Sequence, residues 1–250
     1  MKAKLPQKNE FFDINKLPGD EGVLLFPLSM SKLPGAHSPV QLAKDLEFFS
    51  DNKVTLPKIG ACFLYADFLY LNSNEKAHVL KDKYTEMVWN HSNGLKKVIH
   101  KKRKIFQIQH AFSYMTWSQL YLLSPNFMYN FHKLKAIYKQ DKLLQKYIKE
   151  DAKAFNKRVT ENQINFFLEE NLLAYLVMKG QIKLPNEFIQ GREKWVLFCY
   201  PGNAIKSFIY LFQKNFFKLP KVQKYEGQYN LETKKFIDFD NVDLETYSVK

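Results

Sequence analysis

The 250-residue chain predicts an α/β fold, a Rossmann-like three-layer sandwich on a mainly parallel sheet. Two observations carry that expectation. Short apolar runs of strand type at 22–31, 59–67 and 195–200 each end in small or polar residues, as buried parallel strands do where they open into loops. Segments of helical pattern lie between them, so the opening reads strand, helix, strand, the crossover that a parallel pair requires. Hydrophobic residues make up 46% of the chain, and 22 Phe and 14 Tyr are spread along its whole length. A single domain over 1–250 follows, with a core from about 22 to 220 and a C-terminal extension from 221 to 250.

Each element has its own signal. The first strand starts at Gly22 and closes on Ser29, Met30 and Ser31. Ser38 then supplies an N-cap and Pro39 a first-turn proline, which predicts a helix from about 39 to 50 with Leu42, Leu46 and Phe49 on one face. The run 59–67 predicts a second buried strand ending at Asp67. Helical patterns dominate from 75 to 103, and a third strand is expected at 105–109. After a short segment at 116–123, a long charged helix is expected from 124 to 155. Thr160 caps and Gly180 stops a helix ending at Met178. The last core strand runs from Trp195 to Tyr200 and ends at Pro201 and Gly202, and residues 221–250 allow a short edge hairpin or a partly ordered tail.

The formal net charge of +13 favours a polyanionic partner such as nucleic acid over an acidic protein or a neutral metabolite, although lysines on ordinary solvated faces give the same count. Cys62 and Cys199 sit inside apolar runs and read as buried small hydrophobes, which suits a reducing cytoplasm. The first twelve residues lack the apolar segment of a signal peptide, and no stretch approaches the roughly 20 apolar residues of a spanning helix. A cytoplasmic protein without membrane contact is the expectation.

In open parallel sheets the ligand crevice lies beyond the carboxyl ends of the strands, which points to Ser29 and Ser31, Asp67, and Tyr200. There is no G-x-G-x-x-G and no Walker A pattern, so neither a dinucleotide nor a nucleoside triphosphate is expected. Between Gly94 and Lys104 the chain carries Lys96, Lys97, His100, Lys101, Lys102, Arg103 and Lys104 with no acidic residue. At helical spacing these form a cationic band suited to a phosphate backbone, because each phosphate neutralised releases counterions. A second basic stretch, 133–157, is interleaved with acids and reads as a solvated face. Glu169 and Glu170 lie in a helix that is otherwise apolar on most sides, so one should point to solvent and the other inward. None of the six histidines pairs with Cys or His at metal-ligand spacing, so no metal is expected and each His reads as structural. The strained G-x-S-x-G elbow of a serine hydrolase is absent.

Leu28 to Pro34, followed by Ser38 and a helix, resembles the serine loop of tRNA-dependent cyclodipeptide synthases. Residues 165–170 resemble that family's Tyr-x-x-x-Glu helix motif, and Phe198 to Pro201 its last core strand, in the Tyr-Pro form of the XYP-type subfamily. The basic band falls where the family's tRNA-binding helix lies, and the resemblance spans roughly 22–212. It implies a catalytic domain similar to those of class I aminoacyl-tRNA synthetases, acting as a monomer on two aminoacyl-tRNAs per cycle, with no cofactor. Ser31 would accept the first aminoacyl group as an ester, Glu170 would hold the substrate amine, and Tyr200 would act in a proton relay. Ser29, Phe166, Pro201, Asp67 and Tyr65 would line the substrate site, and the band from Lys96 to Lys104 would hold tRNA. Two positions depart from the family pattern. Its glycine two residues before the serine is Ser29, which leaves Ser29 a second candidate nucleophile, and its tyrosine is Phe166. Tyr175 offers a hydroxyl on the same helix, but that register places Lys179 at the glutamate position.

Overall fold

A computed structural model describes residues 22–51, 59–67, 77–102, 112–124, 126–155, 158–182, 184, 196–222 and 226–249. In chain order the elements are β1 (Gly22–Ser29), α1 (Pro39–Asp51), β2 (Ile59–Ala66), α2 (Ala77–Lys101), β3 (Phe112–Thr116), α3 (Trp117–Leu123) and α4 (Phe127–Gln140). They continue as α5 (Lys142–Ala154), α6 (Glu161–Met178), β4 (Val196–Tyr200), α7 (Lys206–Lys214), β5 (Gly227–Asn230) and β6 (Lys235–Asp238).

The strands form one sheet in the order β3-β2-β1-β4-β5-β6. The first five strands of that order make four parallel pairs, and β6 alone among the described strands runs antiparallel, as the outer arm of a hairpin with β5. The chain therefore winds outward from β1 through β2 to β3, returns, and winds the other way through β4 and β5. This doubly wound order makes the gap between β1 and β4 the topological switch point, where α/β sheets place their ligands.

Strand alternation separates the two helical layers. Leu24, Phe26 and Leu28 of β1 face Leu42, Leu46 and Phe49 of α1 and Leu95 and Ile99 of α2. Val23 and Leu25 face the opposite way, into a larger core shared with α3 to α7. Because β1 is buried on both sides, it reads as an unbroken apolar run. Cys62 of β2 and Cys199 of β4 are buried free thiols on strands that β1 separates.

One expectation is untested and one is corrected. The strand expected at 105–109 lies outside the described residues, and the third strand among the described residues is Phe112–Thr116. As an edge strand β3 fully buries only Met115, so it lacks the continuous apolar signature that β1 and β2 carry. The expected helix over 124–155 is two helices. Asp141, extended at φ −89° and ψ 105°, ends α4 and accepts the Leu144 N–H at 2.9 Å to cap α5. Charge pattern alone does not reveal such a break, because both halves keep the same polar face.

Other local signals act as read. Thr160 accepts the Gln163 N–H at 3.2 Å, and Gly180, at φ 65°, ends α6 in a left-handed turn. The C-terminal hairpin is part of the sheet, and Gly227 is required there, since a Cβ would lie 2.2 Å from the Ile237 carbonyl oxygen. Among the described residues no helix is long and apolar enough to cross a membrane.

Candidate active site

β1 delivers Ser29 to the carboxyl edge of the sheet, and the chain then turns through one 3-10 turn, Met30–Lys32. Buried Met30 and Leu33 pin this turn to the α1 and α2 layer. The Lys32 carbonyl accepts the N–H groups of both Gly35 and His37 at 3.0 Å, closing a tight loop before α1. On that loop Ser29 is half-buried and Ser31 exposed, and their hydroxyl oxygens lie 3.1 Å apart.

Two buried imidazoles hold the loop. The Ser29 N–H donates to His37 Nδ1 at 3.0 Å, so Nδ1 carries the lone pair and Nε2 the proton. That Nε2–H is buried without a hydrogen-bond acceptor among the described residues. His91 of α2 donates from Nε2 to the His37 carbonyl at 2.7 Å and accepts the Tyr65 hydroxyl at Nδ1, 2.9 Å away. Neither ring therefore keeps a lone pair for a serine proton, which excludes either as the general base of a Ser-His pair. Burial, reinforced by nearby Lys32, pushes His37 down to about 4 and keeps it neutral. His37 and His91 read as isolated in sequence, yet they form one network with the serine loop.

Across the switch point β4 ends in Tyr200, whose ring meets the His37 ring edge-on with centroids 5.4 Å apart. Lys32 Nζ sits 4.5 Å above the Tyr200 ring. From α6, the Glu170 carboxylate acts on both Lys32 and Tyr200. Burial, with the Asp151 carboxylate beyond it, pushes Glu170 up to about 7, and the pull of Lys32 only partly offsets this. Burial raises the Tyr200 hydroxyl further still, with Glu170 and Glu232 adding to it, so it remains a proton donor at neutral pH. Asp151 is fully buried on α5, where it accepts the N–H groups of Lys206 and Ser207 and so caps α7.

Neither Glu169 nor Glu170 turns fully to solvent, although one of the two is expected to. Glu169 too is half-buried and is raised to about 7 by burial, opposed by Lys135. The reason is the packing of α6, buried without interruption from Asn171 to Met178, which leaves its preceding turn little open water.

No protein-family model matches the chain, and no curated protein matches it. Among solved structures it is similar to a CDPS from Fluoribacter dumoffii, at 14% identity over 77% of this chain and 81% of that one, with a TM-score of 0.47. It is also similar to a cyclodipeptide synthase from Streptomyces noursei, at 11% identity over 83% of this chain and 93% of that one, with a TM-score of 0.47.

The remaining candidates fall in several places. Asp67 accepts both the backbone N–H and the hydroxyl of Ser118, anchoring the start of α3. Tyr65 is buried, with its hydroxyl donated to His91. Pro201 is buried directly after Tyr200, and Phe166 is half-buried with its ring edge-on to Phe167 at 5.6 Å. On α2, Lys96, Lys97, His100 and Lys101 are exposed while Leu95 and Ile99 pack inward. Lys96 Nζ also lies 4.9 Å from the Tyr114 ring centroid, and Lys102 pairs with Glu47 of α1. Arg103 and Lys104 lie outside the described residues. Tyr175 donates its hydroxyl to Asn215, and Lys179 pairs with Glu226, which precedes β5 at the amino ends of the strands, away from the serine loop. Among the described residues no cluster of His, Cys, Asp and Glu could hold a metal ion.

Proposed function

We propose that the protein is a tRNA-dependent cyclodipeptide synthase of the Tyr-Pro type, working through an aminoacyl-serine. The observation that supports this reading is the meeting of Ser29, Ser31, Tyr200 and Glu170 around the β1/β4 switch point without an imidazole base. Ordinary serine hydrolysis needs that base. An aminoacyl ester of tRNA does not, because the leaving ribose oxygen can itself take the serine proton.

In the first step the Ser31 oxygen attacks the ester carbonyl of an aminoacyl-tRNA. The bond to the ribose oxygen breaks, the ribose takes the proton, and an aminoacyl-serine remains. In the second step the amine of that aminoacyl group attacks the ester of a second aminoacyl-tRNA, releasing tRNA and leaving a dipeptidyl-serine. The new terminal amine then attacks the serine ester, closes the diketopiperazine ring and returns the hydroxyl. Each attack replaces an activated ester by an ester or amide, so no triphosphate is consumed.

An amine attacks only when neutral, so it must lose a proton first. Glu170, raised to about 7, exchanges that proton near neutrality and holds the ammonium beforehand. Tyr200 stays protonated and passes a proton at the mouth of the serine loop. The exposed basic face of α2 supplies binding energy through phosphates far from the reacting atoms.

Expression in a bacterium, followed by mass spectrometry of the medium, tests the reading. Cyclic dipeptides are expected from the wild-type chain and none from Ser31→Ala. A dead Ser29→Ala beside an active Ser31→Ala moves the nucleophile to Ser29. Absence of both cyclic dipeptide and acyl-enzyme with a full set of aminoacyl-tRNAs overturns the proposal.

A further inference from the structure

We propose that His37 and His91 are positioning residues for the serine pair, a relay that ties the amide of Ser29 to helix α2. The relay's catalytic consequence rests on the synthase reading, while its geometry stands independently. It has three links: Tyr65 to His91 at 2.9 Å, His91 to the His37 carbonyl at 2.7 Å, and the Ser29 amide to His37 Nδ1 at 3.0 Å. His37 is 1% exposed and His91 9%, so these bonds are shielded from competing water.

A residue serving packing alone would not be a histidine here. A leucine of similar size would fill the same space but would leave the Ser29 amide without its acceptor. The imidazole is thus an anchor on the residue whose hydroxyl meets Ser31 at 3.1 Å. The same ring meets the Tyr200 ring edge-on, with centroids 5.4 Å apart, so His37 also lies between the serine loop and the last core strand. His91 extends the constraint to the helix that carries the cationic band, 54 residues away in sequence.

Conservative and non-conservative variants separate positioning from folding. Asn at 37 keeps an acceptor where Nδ1 stands and Ala does not. Gln at 91 keeps the donor to the His37 carbonyl and Ala does not. Amide hydrogen exchange read by NMR is expected to be at least about tenfold faster at Ser29 in His37→Ala and His91→Ala, and near wild type in His37→Asn and His91→Gln. In cyclic dipeptide formation, His37→Ala is expected to lower kcat by about 10- to 100-fold with KM for aminoacyl-tRNA changed less than about twofold, and His37→Asn to recover most of it.

Unchanged Ser29 exchange in a folded His37→Ala overturns the anchor. A folded His37→Asn with Ser29 protected but kcat as low as in His37→Ala overturns the positioning role. Protected Ser29 in a wild-type chain that forms neither acyl-serine nor cyclic dipeptide sinks the synthase reading and leaves the anchor established.

Discussion

Helix α6 carries ionisable side chains at two levels that follow opposite physical logic. Toward its C-terminus Lys179 donates to both oxygens of Glu226 at 2.7 and 2.8 Å, with both side chains 3% exposed. The rings of Tyr175 and Phe212 lie within 6 Å of the same ammonium, and Tyr175 is satisfied by Asn215. Nine residues earlier, about 13 Å along the axis, Glu169 and Glu170 are half-buried and neither makes an ion pair among the described residues. Both carboxyls are raised to about 7, chiefly by burial. A charge that has its partner inside the fold is part of the scaffold. A desolvated carboxyl without such a partner among the described residues is the kind of group that ligand sites use, and it is the one the synthase proposal gives to the substrate ammonium.

The largest expected effect is at the mouth beside Glu170. Replacing Ser31 by Ala should lower cyclic dipeptide output at least about a thousandfold, because the oxygen that carries the acyl group is lost. Circular dichroism should stay native. Product at wild-type levels would detach the unpaired carboxylates from any acyl chemistry.

The satisfied end should respond in stability instead. Lys179→Met leaves Glu226 buried without its partner and is expected to cost about 3–5 kcal/mol in urea unfolding. Adding Glu226→Leu should recover most of that loss. If the single change is silent, the two ends of α6 do not differ in the way proposed.

Glu169→Gln and Glu170→Gln should act with the opposite sign. A carboxyl whose folded pKa is raised from 4.5 to about 7 binds more protons in the native state across that window, so stability falls as pH rises from 4.5 to 7 and stays lower above it. Each Gln variant should therefore match wild type at pH 4 and exceed it by about 1–2 kcal/mol at pH 8. In turnover, an acid limb near 7 is expected in the wild-type pH profile, and Glu170→Gln should abolish it. A pH-independent difference would show that these groups are not desolvated in solution.

The smallest effect belongs to the exposed face of α2. Lys97→Ala and Lys101→Ala should each weaken tRNA binding about threefold and reduce the slope of log affinity against log salt by up to about one. Filter binding across a salt series reads both quantities.

Local pattern reached much of this molecule. The apolar run of β1, the cap and proline before α1, and the Thr160 and Gly180 limits of α6 stand in the chain as short-range signals, and the structure follows them. The edge strand β3 and the break at Asp141 escaped, because a half-buried strand lacks a continuous apolar run and a single cap does not disturb a charge pattern.

Which side chains stand at the strand ends was legible from local pattern, since periodicity encodes which residues are buried and where a strand stops. Local pattern could not determine partnership. That the lone pairs of His37 and His91 are already taken, that Glu170 shares a site with Lys32, Tyr200 and Asp151, and that Lys179 has an ion-pair partner while Glu170 has none among the described residues emerge from the folded arrangement alone. The physical reason is that ionisation and hydrogen bonding depend on distances between residues many positions apart, and those distances exist only once the sheet has wound in both directions from β1.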